Sequence, residues 1–158
     1  MKVEHINPFL AAVHNTFTTM LSTEARRGDL SLGDPRRRAF PISGVIGLSG
    51  RAQGTVVINL SKEVALAAAS HMLLEPKTEI DDEVLDAVGE LANVVAGQAK
   101  VELEEYELSV SLPNVVTGEG HEIRFPSATP PLCVPFESDF GAFRLEVGFE
   151  PALAGSCV

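Results

Sequence analysis

Glu90 and Asn93 are the two residues whose types and spacing could do chemistry together. They lie in the stretch "DAVGELANVVAGQAK", Asp86 to Lys100, among small and apolar neighbours. On a helix, residues three or four apart are surface neighbours, so Asp86, Glu90, Asn93 and Gly97 share one side. A carboxamide is neither a base nor a nucleophile. It accepts and donates hydrogen bonds, which suits it to orienting a water. A neighbouring carboxylate can hold a cation. Such a pair fits a reaction whose electrophile arrives on another molecule. Phosphoryl transfer is of that kind, because its loose transition state needs positioning and charge neutralisation more than a strong base. A solvated outer helix face would carry the same residue types, and both readings stay open at this point.

The helix that must position them is legible by its period. Val84, Val88, Leu91, Val95 and Ala99 recur on one stripe, the expected buried face, with the Asp86–Gly97 side opposite. Gly89 and Gly97 leave the backbone bare beside the polar residues. Mid-helix glycine costs about 1 kcal/mol relative to alanine. Two so close together suggest either that something approaches closely or that a neighbouring helix packs there.

The rest of the chain forms the frame. Asn7-Pro8 reads as a helix start, with Asn7 as cap and a helix running to about Glu24. "RRGDLSLGDPRRRAFP" follows as a connector. "ISGVIGLSGRAQGTVVINL" is predicted to be a β-hairpin turning near Arg51–Gly54. Gly44, Gly47 and Gly50 lack the helix that a phosphate cradle would need after them, and are expected to be close-approach sites in a strand. Ser61 caps a helix over "KEVALAAASHMLL", which Pro76 stops. "TEIDDEVLDAVGELANVVAGQAKVELEE" is the long helix, opened by acidic residues suited to its positive end. "YELSVSLPNVVTG", "PPLCVPFES" and "AFRLEVGFE" read as strands, with "EGHEI" a turn. The order α-β-β-α-α-β-β-β predicts an α+β fold, helices packed on one face of a largely antiparallel sheet, in a single domain spanning residues 1–158.

Bulk properties narrow the class. The chain has 158 residues, 45% hydrophobic, enough for one domain with a real core. No apolar run reaches the ~18 residues of a membrane span, and the first residues do not read as a signal peptide. A net charge of −10 opposes nucleic acid and anionic lipid. The one basic cluster, Arg26, Arg27, Arg36, Arg37 and Arg38, reads as solvated loop charge. Cys133 and Cys157 are far apart, without metal spacing, and are expected to be reduced thiols in a cytoplasmic protein, Cys133 as a small core residue. His5, His14, His71 and His121 show no metal spacing, and no metal site is expected. The acidic cluster Glu102, Glu104, Glu105 and Glu107 reads as a solvated helix end.

Three segments carry a resemblance: "INPFLAAV", "ISGVIGLSGRAQGTVVINLS" and "DEVLDAVGELANVVAGQAK", in that order. With them the chain resembles the CheC/CheX/FliY family of chemotaxis phosphatases over nearly its whole length, the CheX branch in particular. The family's signature helix carries Asp or Ser, Glu after three intervening residues, then Asn after two more, with a proline downstream. Asp86, Glu90, Asn93 and Pro113 follow that order, with a slightly shorter interval from Asn93 to Pro113. The resemblance implies a CheC-like fold and hydrolysis of the aspartyl phosphate on a CheY-type response regulator. Asn93 would hold the attacking water, Glu90 would pair with the partner's lysine, and Asp86 would touch the rim, with Gly89 and Gly97 at the contact. The chain would need no cofactor of its own, Mg2+ belonging to the partner. A homodimer joined through sheets is also implied. Glu4-x-x-Asn7 mimics the motif, but Asn7 at a helix cap cannot project from mid-helix, so one site per chain is expected. The alternative is a non-catalytic dimeric adaptor of the same fold that binds a receiver domain or another signalling partner.

Overall fold

A computed structural model describes residues 2–33, 39–125 and 131–152. Arg36, Arg37, Arg38 and Cys157 lie outside them. Three helices, α1 (Asn7–Met20), α2 (Lys62–Leu73) and α3 (Asp82–Glu102), pack on one face of an eight-stranded sheet. Its strands are β1 (Arg26–Arg27), β2 (Ser31–Leu32), β3 (Ile42–Ser49), β4 (Ala52–Leu60), β5 (Ser109–Val110), β6 (Asn114–Thr117), β7 (Leu132–Ser138) and β8 (Gly141–Pro151). Every pairing is antiparallel. β1 and β2 border β7, followed by β8, β4 and β3, and β5 and β6 share the outer edge of β3.

Alternation along the strands makes the core. Ile42, Ile46 and Leu48 of β3, Val56, Ile58 and Leu60 of β4, and Phe143, Leu145, Val147 and Phe149 of β8 are all buried on the helix side. Gly44 is a close-approach site, as expected. A methyl there would come within 2.9 Å of the Ala92 side chain and 3.3 Å of the Val88 carbonyl, so its bareness lets α3 lie directly on β3. Gly50 needs glycine for a different reason. With φ +148° and the Glu107 carbonyl 2.5 Å from any Cβ, it sets the hairpin turn at Gly50–Arg51, slightly before the expected Arg51–Gly54.

The opposite face of the sheet is polar at its centre. The Asn59 carboxamide donates to the carbonyls of Phe40 (2.8 Å) and Ile42 (3.2 Å) and to Ser43 Oγ (2.9 Å), and accepts from Phe40 N–H (2.8 Å) and Arg144 (2.9 Å). Cys133 is buried on this face and not in the helix-side core.

Several boundaries differ from expectation. Asn7 does not cap α1. A 3-10 turn, Val3–Ile6, runs into the helix because Ile6 is buried and His5 packs edge-on against Phe149. α1 stops at Met20, closed by a left-handed Ser22 and the Thr23 N–H donating to the Phe17 carbonyl. The connector holds β1 and β2, and the strand expected over "YELSVSLPNVVTG" is two pieces separated by Ser111–Pro113. Ser61 caps α2 as expected, accepting from Val64 N–H at 3.4 Å.

Candidate functional site

α3 is positioned before any of its polar residues is considered. Asp81 caps it, its carboxylate accepting from Val84 N–H at 2.9 Å. Lys77 reaches back to the same carboxylate (3.0 Å) and to Glu83 (3.0 Å) and Glu75 (3.4 Å), with only 12% of its side chain exposed. Hydrogen bonds to Glu83 and Asp81 hold the Lys77 ammonium above the usual lysine range. The Val84 N–H and then Lys77 hold Asp81 below the usual carboxylate range. Downstream, Val84, Val88, Leu91, Val95 and Ala99 are buried as the stripe predicted. Ala87, Ala92 and Ala96 are buried too: Ala92 packs on Gly44 of β3, and α3 is in contact with α1 and α2 as well as the sheet.

The remaining arc carries the candidate residues. Asp86 and Glu90 are exposed and Asn93 is half-buried, all on one side. Among the described residues none of the three side chains takes a hydrogen bond or ion pair. Asn93 stands in the wall of an open trough of about 730 Å³. Gly97, Lys100 and Val101 continue that wall along α3, and Glu104, Glu107, Leu108 and Val110 form the other side. At Gly97 an added Cβ would meet nothing within 4 Å, so the backbone there is open to the trough.

Gly89 behaves otherwise. The expectation of an uncovered backbone beside Glu90 is corrected: Gly89 is buried, and its Cα faces Pro113 and Val115, each 3.4 Å from the position of a Cβ. The strip that covers it is pinned at the edge of β3. Ser111 N–H donates to the Gly47 carbonyl (2.9 Å), and Ser111 Oγ accepts from Gly47 N–H (2.8 Å) while donating to the Leu112 carbonyl (2.9 Å). Leu108 to Pro113 therefore runs beside α3, with Val110 in the trough near Asn93 and Pro113 on Gly89, one turn earlier.

Sequence reasoning missed this second wall. Its residues come from an irregular stretch whose path depends on a sheet edge distant in the chain. The acidic cluster is partly part of it: Glu104 and Glu107 line the trough, and Glu107 makes an exposed ion pair with Arg51 at 3.3 Å. The Glu4-x-x-Asn7 mimic has both residues exposed at the start of α1, outside the trough. The buried His5 and the half-buried His121 have structural partners. His5 meets Tyr106 Oη at 3.3 Å, and His121 Nε2 meets Ser43 Oγ at 2.7 Å. Of the basic cluster, Arg26 makes an exposed pair with Asp139 at 3.5 Å.

Chemically, the arrangement offers a carboxamide and, one turn away, a carboxylate, both unengaged among the described residues, beside an open trough. It can orient a water and receive a cation presented by another molecule.

The model of the family described as chemotaxis phosphatase CheX matches residues 42–137. The chain is 28% identical over 127 residues to CheY-P phosphatase CheX of Thermotoga maritima, covering 78% of this chain and 82% of that one. Its fold matches the crystal structure of chemotaxis protein CheX from Vibrio vulnificus with a TM-score of 0.86 and 34% identity, covering 94% of this chain and 100% of the other. It also matches CheX in the CheX–CheY–BeF3–Mg2+ complex from Borrelia burgdorferi, with a TM-score of 0.79, 25% identity, and 94% and 99% of the two chains covered.

Proposed function

This chain belongs to the chemotaxis phosphatase CheX family, and from that premise we propose that it hydrolyses the aspartyl phosphate of a CheY-type response regulator, with Asn93 and Glu90 as the working residues. The observation that carries the reading is Asn93 itself: a carboxamide half-buried in the trough wall, one turn from an exposed Glu90, neither side chain having a partner among the described residues.

In this mechanism the receiver domain docks over the exposed side of α3. Asn93 enters its phosphorylated site and hydrogen-bonds a water in line with phosphorus. The water attacks, the bond between phosphorus and the aspartyl oxygen breaks, and phosphate leaves the regenerated carboxylate. Glu90 pairs with the receiver's active-site lysine and fixes the register, and Asp86 contacts the rim. Gly97 admits the partner's surface to the trough, whereas Gly89 acts from beneath by accepting Pro113. Mg2+ would be carried by the receiver and would neutralise the phosphoryl oxygens; the Borrelia structure, a complex of CheX with CheY, BeF3 and Mg2+, supports that reading. Fixing one water by one side chain supplies about 100-fold, because orientation removes an entropic barrier. The chain works in the cytoplasm, where such receivers act, as a homodimer of single-domain subunits with one site each.

The test is the decay of a phosphorylated CheY-type receiver domain with substoichiometric protein, native against Asn93→Ala. Faster decay with the native chain, lost in the variant while binding persists, is the expected result. No acceleration with any cognate receiver overturns the phosphatase reading and leaves a non-catalytic adaptor that binds a receiver domain.

A further inference from the structure

We propose that Leu112 is the apolar anchor that seats the phosphorylated receiver domain over Asn93; the inference rests on the reading of Asn93 and Glu90 given above. Leu112 is 87% exposed, an unusual state for a leucine inside an ordered strip. It is held there by both neighbours. Ser111 is tied to Gly47 by two hydrogen bonds and to Leu112's own carbonyl by a third, and Pro113 rests on Gly89. A side chain whose backbone is already ordered loses little freedom on docking, which is the property of a preorganised contact.

Its place in the fold ties it to this partner. Val110 lines the trough with Asn93, and Pro113 covers the turn of α3 that precedes Asn93. Leu112 lies between those two points, hence beside the turn that carries Glu90 and Asn93. Further along the trough, Val101 is 69% exposed, so the polar centre is bracketed by apolar surface. An apolar bracket around a carboxamide excludes bulk water when a partner closes on it, leaving the single oriented water that hydrolysis requires. Leu73 and Leu74, at the end of α2, are also exposed, but their neighbours in the chain, His71 and Glu75 among them, include no carboxamide.

Leu112 seats the partner without touching the phosphoryl group, so its removal acts on binding and not on chemistry. Leu112→Ala is expected to raise KM for the phosphorylated receiver about 10-fold with kcat within about twofold, and Leu112→Asp to raise it further. Leu112→Met is expected to restore KM to near the native value. The unfolding temperature stays unchanged in all three, because the side chain lies in water. Calorimetric titration with a beryllofluoride-activated receiver reads the same anchor without turnover. If the native chain binds that receiver but hydrolyses nothing, the phosphatase reading fails while a Leu112→Asp titration weakened by more than about 10-fold still supports the anchor. An unchanged KM and binding constant in Leu112→Asp overturns it. Conversion of a dimer to a monomer by Leu112→Asp in light scattering also overturns it, assigning the surface to a second copy of the chain.

Discussion

The first turn of α3 and the two turns that follow it carry much the same residue types and put them to opposite uses. At the start, Asp81 and Glu83 are engaged by Lys77 and the helix's own N–H groups. From Asp86 to Asn93 no polar side chain on the exposed arc has a partner among the described residues. The contrast teaches that acidity on a helix does not mark a site; lack of engagement on a rigid support does. The same helix is anchored through its buried stripe and its cap, so the unengaged groups are held in place without being used.

The comparison predicts that the two regions dissociate. Beside the loss expected of Asn93→Ala, a large effect is expected from Glu90→Lys, which places a cation opposite the receiver's lysine. It should lower kcat/KM by at least about 30-fold in the receiver dephosphorylation assay, with no change in unfolding temperature. Asp81→Ala should do the reverse. Losing the cap costs about 1 kcal/mol in denaturant unfolding, and turnover stays native. A charge-reversed Glu90 that unfolds the protein, or an uncapped α3 that stops turnover, breaks the distinction.

Acidity sharpens it further. The folded pKa of Asp81 lies below its unfolded value, so its stabilisation is present above the unfolded pKa of about 4 and is lost as pH falls through the folded value. The gap in unfolding temperature between the native chain and Asp81→Ala is expected to narrow in a pH series taken below 4. The smallest effect belongs to Gly97→Ala. With nothing near the new methyl, helix propensity raises the unfolding temperature by about 2–4 °C, while KM for the receiver rises a fewfold if the partner closes on that backbone. A stabilised variant with native KM would remove Gly97 from the contact.

Much of this was legible before the fold. The 3.6-residue period exposed α3's buried stripe, Ser61 announced α2, and glycines in β3 pointed to a close approach that Gly44 makes against Ala92. These are local signals. What escaped were features created by pairing across the chain. Gly89 looked bare because its cover, Pro113, arrives from another element. Leu112 looked like any strand residue because its exposure depends on Ser111 being tied to Gly47. β1 and β2 were hidden in a connector, since two-residue strands have no period and exist only because β7 lies beside them. Asn7 was misplaced as a cap because the burial of Ile6 and His5 extends helical turn structure before it.

The register between β4 and β8 has a consequence for biosynthesis. β4 forms the middle of the sheet, yet its second partner is Gly141–Pro151, made only after both α2 and α3 and β5 to β7. At about 5–20 residues per second, a ribosome exposes the β3–β4 hairpin for several seconds with one edge unfilled. That edge carries Val56, Ile58 and Leu60, an invitation to pair with a neighbouring nascent chain. Crowded translation is therefore the stage at which this protein is most vulnerable, and slowing synthesis between α3 and β8 would lengthen that interval without changing the finished molecule.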